Sequence, residues 1–124
     1  MYKYMEKIFE SEYRFLSILW EVEPVDSPTL VKLCNERLGW KKSTTYTVIK
    51  KLSEKGLVKS EKTIVEALIS KEEADKQAGD ELLERTSNGN IPAFLAAFLK
   101  DRKLSKSDVE KIRSLIEKVV SSDL

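Results

Sequence analysis

Between positions 41 and 51 the chain reads Lys41-Lys42-Ser43-Thr44-Thr45-Tyr46-Thr47-Val48-Ile49-Lys50-Lys51, a concentration of hydroxyl and ammonium groups. At about 100° per residue, one face of a helix here carries Ser43, Tyr46, Thr47, Lys50, Lys51 and Glu54. The opposite face carries Thr45, Val48, Ile49 and Leu52. The hydroxyls can exchange hydrogen bonds with base edges or phosphate oxygens, and the lysines can neutralise phosphate or reach guanine O6 and N7. Backbone amides near Ser43 and Thr44 would open the helix and add phosphate donors. Lys41, Lys42 and Lys55 flank the helix and are expected along a nucleic-acid backbone, with Lys59 and Lys62 following in the next segment. An ordinary solvated amphipathic helix has the same polarity, so this face acquires meaning only from its surroundings.

Charge distribution is the first of those surroundings. The net charge of +1 over 124 residues argues against a nucleic-acid binder, but the charges are segregated. Residues 1–31 sum to −3, residues 32–62 to +6, residues 63–84 to −5 and residues 85–124 to +3. The basic block coincides with the polar helix, as expected of a phosphate-binding footprint. The acidic block after it would keep the rest of the molecule away from a polyanion.

Other chemistries are poorly served. There is no histidine to act as general base, no glycine-rich phosphate loop and no nucleophile elbow. Glu72-Glu73 stands at a helix start, where the acids suit the helix dipole. Cys34 is the single cysteine, which forbids an internal disulfide and leaves no soft-metal ligand set. It lies on an apolar stripe and is expected in the core. No cofactor is expected. The first residues lack the apolar segment of a signal peptide. The longest apolar stretch, Ile91 to Leu99, contains Pro92 and falls short of the roughly 20 residues of a membrane span. A cytoplasmic protein without membrane insertion is expected.

The elements that must carry the polar face follow from periodicity. A first helix is predicted from Ser11 to Val22, with Tyr13, Leu16, Leu19 and Trp20 on its apolar side and Pro24 ending it. A second starts with Ser27 as N-cap and Pro28 at the first helical position. It buries Leu30, Leu33, Cys34 and Leu38 and stops at Gly39. The third, the polar helix, spans Ser43 to Lys55 with Gly56 following. Leu57–Lys62 and Val65–Ile69 read as two strands of a hairpin. A fourth helix opens on the capping box of Ser70 and Glu73 and runs to Thr86 with a thin stripe of Ala74, Ala78 and Leu82. Pro92 begins a very apolar fifth helix, and Ser105 with Asp108 starts a sixth that carries Val109, Ile112, Leu115, Ile116 and Val119.

Three helices and a small β-hairpin make a winged helix-turn-helix. The fold class expected is mainly α, with a winged helix over residues 1–70 and a helical region over 71–124. The third helix would enter a major groove, about 12 Å wide. Phe94, Leu95, Phe98, Leu99, Leu104, Val109, Ile112, Leu115, Ile116 and Val119 offer more apolar surface than a lone helical tail can hide. Packing within the chain would cover it, and so would a second copy; a two-fold dimer also suits a palindromic DNA site. The competing reading is a winged helix that binds protein and no DNA.

The run from Trp40 to Val58 resembles the recognition-helix signature of the penicillinase-repressor (BlaI/MecI/CopY-type) family: Ser-Thr-Val-x-Thr, two aliphatics, x-Arg-Leu, x-x-Lys-Gly and two aliphatics. Glu12, Leu16, Leu19 and Trp20 resemble the family's opening segment, and Leu104 to Val120 its dimerisation helix. The likeness covers most of residues 10–120. It implies a cytoplasmic bacterial repressor that binds a palindromic double-stranded DNA operator as a homodimer, the recognition role falling to Ser43, Thr44, Tyr46, Thr47, Lys50 and Lys51. In the penicillin-responsive branch a membrane-sensor pathway leads to cleavage of the repressor at an Asn-Phe bond. The matching pair here is Ala97-Phe98, which keeps the phenylalanine and not the asparagine. Lys51 also replaces the family's arginine, the wing is short, and the Cys-x-Cys ligands of the copper-responsive branch are absent.

Overall fold

A computed structural model describes residues 7–122. Among them the order is α1 (Glu10–Val22), β1 (Val25–Asp26), α2 (Ser27–Leu38), α3 (Lys42–Glu54), β2 (Val58–Glu61), β3 (Ile64–Ala67), α4 (Lys71–Ser87), α5 (Ile91–Leu99) and α6 (Lys106–Ser122). The fold is mainly α, with the helical trio and antiparallel hairpin of a winged helix.

The first three helices meet along their apolar stripes. Phe15, Leu16, Leu19, Leu30, Cys34, Leu52 and Val65 have no exposed surface. Each large apolar side chain buried this way contributes about 1.5–3 kcal/mol. The stripe foreseen on α3 is the observed one: Thr45, Val48, Ile49 and Leu52 are its buried residues. On α1 the stripe is rotated. Glu12, Phe15, Leu16, Ile18 and Leu19 are buried, while Tyr13 and Trp20 lie half-buried at its edge. Trp20 still finds a partner for its indole N–H, which donates to the carbonyl of Ile69 at 2.9 Å.

Local chemistry sets the helix ends. Gly39 takes the left-handed conformation (φ 72°) that closes α2. The cap at the start of α2 is Asp26 and not Ser27: its carboxylate accepts from the Thr29 amide at 3.1 Å and from the Thr29 hydroxyl at 2.8 Å. The helix begins one residue earlier than expected, so Ser27 stands at its first position and the residue before it becomes the cap. These hydrogen bonds, the hydroxyl's first, hold the Asp26 carboxyl below its ordinary range.

The sheet has the order β1-β3-β2 and is antiparallel throughout. The central strand β3 pairs Val65 with Ser60 of β2 and with Val25 of β1. The hairpin turns through Lys62 and Thr63, both at positive φ (50° and 67°). That geometry matches the strand twist but normally selects Gly or Asn. A β-branched threonine there is strained, and the turn is tied back by the Ser27 amide, which donates to the Thr63 carbonyl at 2.7 Å.

The chain divides into two compact units, the first ending at Leu82 and the second beginning at Leu83. The early turns of α4 belong to the first unit and bury Ala74 and Gln77. The expected stripe of Ala74, Ala78 and Leu82 is therefore only partly right, because Ala78 and Leu82 are exposed. The start of α4 is as foreseen: the Ser70 hydroxyl accepts from the Glu73 amide and the Glu73 carboxylate from the Ser70 amide.

In the second unit Asn90 caps α5 by accepting from the Ala93 amide at 2.9 Å. Ser105 caps α6 by accepting from the Asp108 amide at 3.0 Å. Phe94 and Phe98 stack with ring centres 6.0 Å apart, and the Arg102 guanidinium covers the Phe98 ring at 4.3 Å. No residue of α5 is buried.

Candidate nucleic-acid interface

The outward face of α3 is built by a simple division of labour. Its apolar stripe anchors the helix to the core and so fixes the direction of every other side chain on it. Lys41, Lys42, Ser43, Thr44, Thr47, Lys50 and Lys51 are all exposed. Among the described residues, none of Lys41, Lys42, Lys50, Lys51 and Lys62 has a carboxylate within salt-bridge distance. Their charge is left to counterions or to a ligand.

The beginning of α3 is equally distinctive. Its N-cap is Lys41, which makes no side-chain cap, and its first turn contains no acid. The five other helices of the described residues each have an acid or a capping side chain at this position: Glu12 on α1, Asp26 on α2, Ser70 and Glu73 on α4, Asn90 on α5, Ser105 on α6. The open amides and the positive dipole end of α3 therefore coincide with two lysines, an arrangement unfavourable for the helix alone and suited to an anion.

Two residues expected on this face have other partners. Lys55 is turned into the fold. Its ammonium donates to both carboxylate oxygens of Glu12, at 2.7 and 3.0 Å, and to the carbonyl of Lys7 at 2.8 Å, and it lies 4.7 Å from the Phe9 ring centre. Glu12 is buried, and the Lys55 side chain is only 16% exposed. The expectation that Lys55 lies along DNA is corrected: a buried carboxylate holds this cation, because leaving either charge unpaired in the interior is costly. Tyr46 is 38% exposed, and its hydroxyl donates to Ser27 Oγ at 3.3 Å.

The wing presents Lys62 at its strained turn and Lys59 on β2, the latter 3.6 Å from Glu61 in an exposed pair. Cys34 is fully buried, and burial pushes its thiol above the ordinary range, as befits a core residue. The described residues contain no group of three metal-ligating side chains, and no helix among them is long and apolar enough to cross a membrane.

The residues expected at an interface between copies lie in the second unit. Leu95, Phe98, Leu99, Leu104, Ile112, Leu115, Ile116 and Val119 are exposed, and Phe94 and Val109 are half-buried. Several of them line an open groove of about 430 Å³ between α5 and α6. The Ala97–Phe98 bond lies in the last turn of α5, with both side chains exposed.

Residues 8–118 match the penicillinase repressor family. The chain belongs to that family. It is a DNA-binding transcriptional repressor, and its work is binding, not catalysis. Over 114 residues it is 29% identical to an uncharacterised 16.5 kDa protein of the ptsI 3′ region of Latilactobacillus sakei, covering 89% of this chain and 78% of that one. Over 116 residues it is 19% identical to the methicillin resistance regulatory protein MecI of Staphylococcus aureus strain Mu50, covering 90% of this chain and 94% of MecI. Among solved structures, the PcaV transcriptional regulator of Streptomyces coelicolor, in complex with its natural ligand, aligns over 99% of this chain and 83% of its own. That match has a TM-score of 0.41 and 19% identity.

Proposed function

We propose that this repressor binds a palindromic operator as a homodimer, α3 of each copy lying in the major groove. The observation that carries the reading is the coincidence on α3 of an uncapped N-terminus with lysines that lack carboxylate partners. Lys41, Lys42 and the first amides of α3 would hold phosphates. Ser43, Thr44 and Thr47 would contact bases or backbone, and Lys50 and Lys51 phosphate or guanine. Lys62 would reach the flanking backbone from the wing, with Lys59 as a weaker contributor because Glu61 already faces it.

Homodimerisation rests on the apolar face of α5 and α6. A patch of this kind on a chain that must match a two-fold site is best covered by the same patch on a second copy. Repression would act in the cytoplasm, where the operator is.

Selection of bound sequences from random DNA, followed by titration over a range of salt, tests the reading. A palindromic consensus and a steep salt dependence are expected. Recovery of no consensus, with binding no tighter than to bulk DNA, would refute operator recognition.

A further inference from the structure

Resting on the DNA-binding reading, we infer that Tyr46 is a positioning residue: its phenol braces Ser27, and through Ser27 the turn of the wing, so that recognition helix and wing are presented to DNA at a fixed spacing. The sequence alone gives the Tyr46 hydroxyl a base edge or a phosphate to bind, since it falls on the polar face of α3. The geometry gives its hydroxyl a different partner, Ser27 Oγ at 3.3 Å.

Ser27 is well placed to transmit this contact. It is the first residue of α2 and is 6% exposed. Its amide donates to the Thr63 carbonyl at 2.7 Å. Thr63 and Lys62 form the wing turn with both backbones left-handed, a conformation that non-glycine residues leave readily unless something holds them. One side of the turn is held by the β1–β3 pairing of Asp26 with Ile64, and the Ser27 amide holds the carbonyl itself. The phenol of Tyr46 restrains the residue that provides that amide. Three segments distant in sequence are thereby linked: α3, the start of α2, and the β2–β3 turn.

A side chain that fixes spacing and one that reads a base have different signatures. Tyr46→Phe keeps the ring and deletes only the hydroxyl. In the free protein, amide exchange at Ser27 should accelerate about two- to fivefold, the effect of one long hydrogen bond, while the core amide of Leu19 keeps its rate. On selected operator DNA, affinity should fall by a similar factor. The salt slope and the base preference should not change, because no phosphate or base contact is lost. Ser27→Ala should reproduce these effects, and the double variant should be no worse than either single one, since both remove the same contact.

A wild-type exchange rate at Ser27 in Tyr46→Phe overturns the inference, as does wild-type operator affinity. Relaxed preference at a single base pair also overturns it, and marks Tyr46 as a direct reader. If the unaltered protein selects no operator, the DNA reading falls by itself, and the exchange rate at Ser27 still decides whether the brace exists.

Discussion

Phe15, Leu16, Leu19 and Leu30 have no exposed surface, whereas Phe98, Leu104, Ile116 and Val119 are between 42% and 66% exposed. The two sets are similar in side-chain type and differ in what surrounds them. In the unit ending at Leu82, three helices and a sheet converge from different directions and leave water no access. In the unit beginning at Leu83, the apolar residues of α5 and α6 lie on faces that this unit does not cover. Amphipathic helices thus serve two ends in one small protein. The first set stabilises a scaffold that holds α3 rigid, and the second leaves apolar surface that the proposed homodimer would cover.

The sharpest way to break this contrast is to cut into the closed core. Phe15→Ala should cost about 3–5 kcal/mol, a large part of the stability of a small unit. Denaturant unfolding should show a lowered midpoint, and DNA binding should fail with it. The same kind of cut in the second unit should behave differently. Ile116→Asp is expected to leave the unfolding of the first unit unchanged and convert the protein to a monomer in sedimentation. If the Ile116→Asp protein sediments as a dimer, the association surface lies elsewhere.

The buried pair of Glu12 and Lys55 comes next in size. Glu12→Gln leaves the ammonium without its counter-charge and should destabilise by roughly 3 kcal/mol. Lys55→Met strands the Glu12 carboxylate in the same way and should destabilise by a similar amount, while the salt slope of DNA binding by the folded protein should stay at its original value. Lys50→Ala and Lys51→Ala should each flatten that slope by about 0.9 without loss of fold. A flattened slope for Lys55→Met would mean that its ammonium reaches DNA after all.

The smallest effect is at the cap of α2. Hydrogen bonds hold the Asp26 carboxyl below its ordinary range, so its contribution is present above the ordinary carboxylate pKa. It is lost as pH falls through the depressed folded value. Melting curves of the unaltered protein and Asp26→Ala should therefore differ at neutral pH and converge in strong acid. A gap that persists in strong acid would assign the effect to something other than the ionised cap.

Much of the first unit is legible in its sequence because its cues are local. The repeat of Thr45, Val48, Ile49 and Leu52 gives both the helix and its buried side. Gly39 and Gly56 mark helix ends by their left-handed backbones. What could not be read depends on distance or on strain. Lys55 looks like one more surface cation until Glu12, 43 positions earlier, is brought beside it. The turn at Lys62-Thr63 contains none of the residues that such a turn favours, and the pattern alone predicts both strands longer than they are. β1 consists of two residues and exists because β3 offers an edge, which no periodicity in Val25-Asp26 could signal. The buried Gln77 lies on α4 where only Ala74, Ala78 and Leu82 suggested a stripe. On α3, polarity correctly picked out an exposed basic face but could not distinguish Tyr46, whose hydroxyl faces Ser27, from its neighbours.

The uncapped start of α3 has a consequence for how this protein tolerates change. Lys41→Asp or Lys41→Ser would supply the missing cap, and the acid would also suit the helix dipole. The gain in resistance to heat would be about 1 kcal/mol. In the proposed complex with DNA, the same replacement would occupy the amides offered to a phosphate and, in the acidic case, place a negative charge beside it. A population selected for robustness alone would drift toward that substitution. One that must keep its genes silent would be held away from it, and would keep a helix slightly worse than it could be.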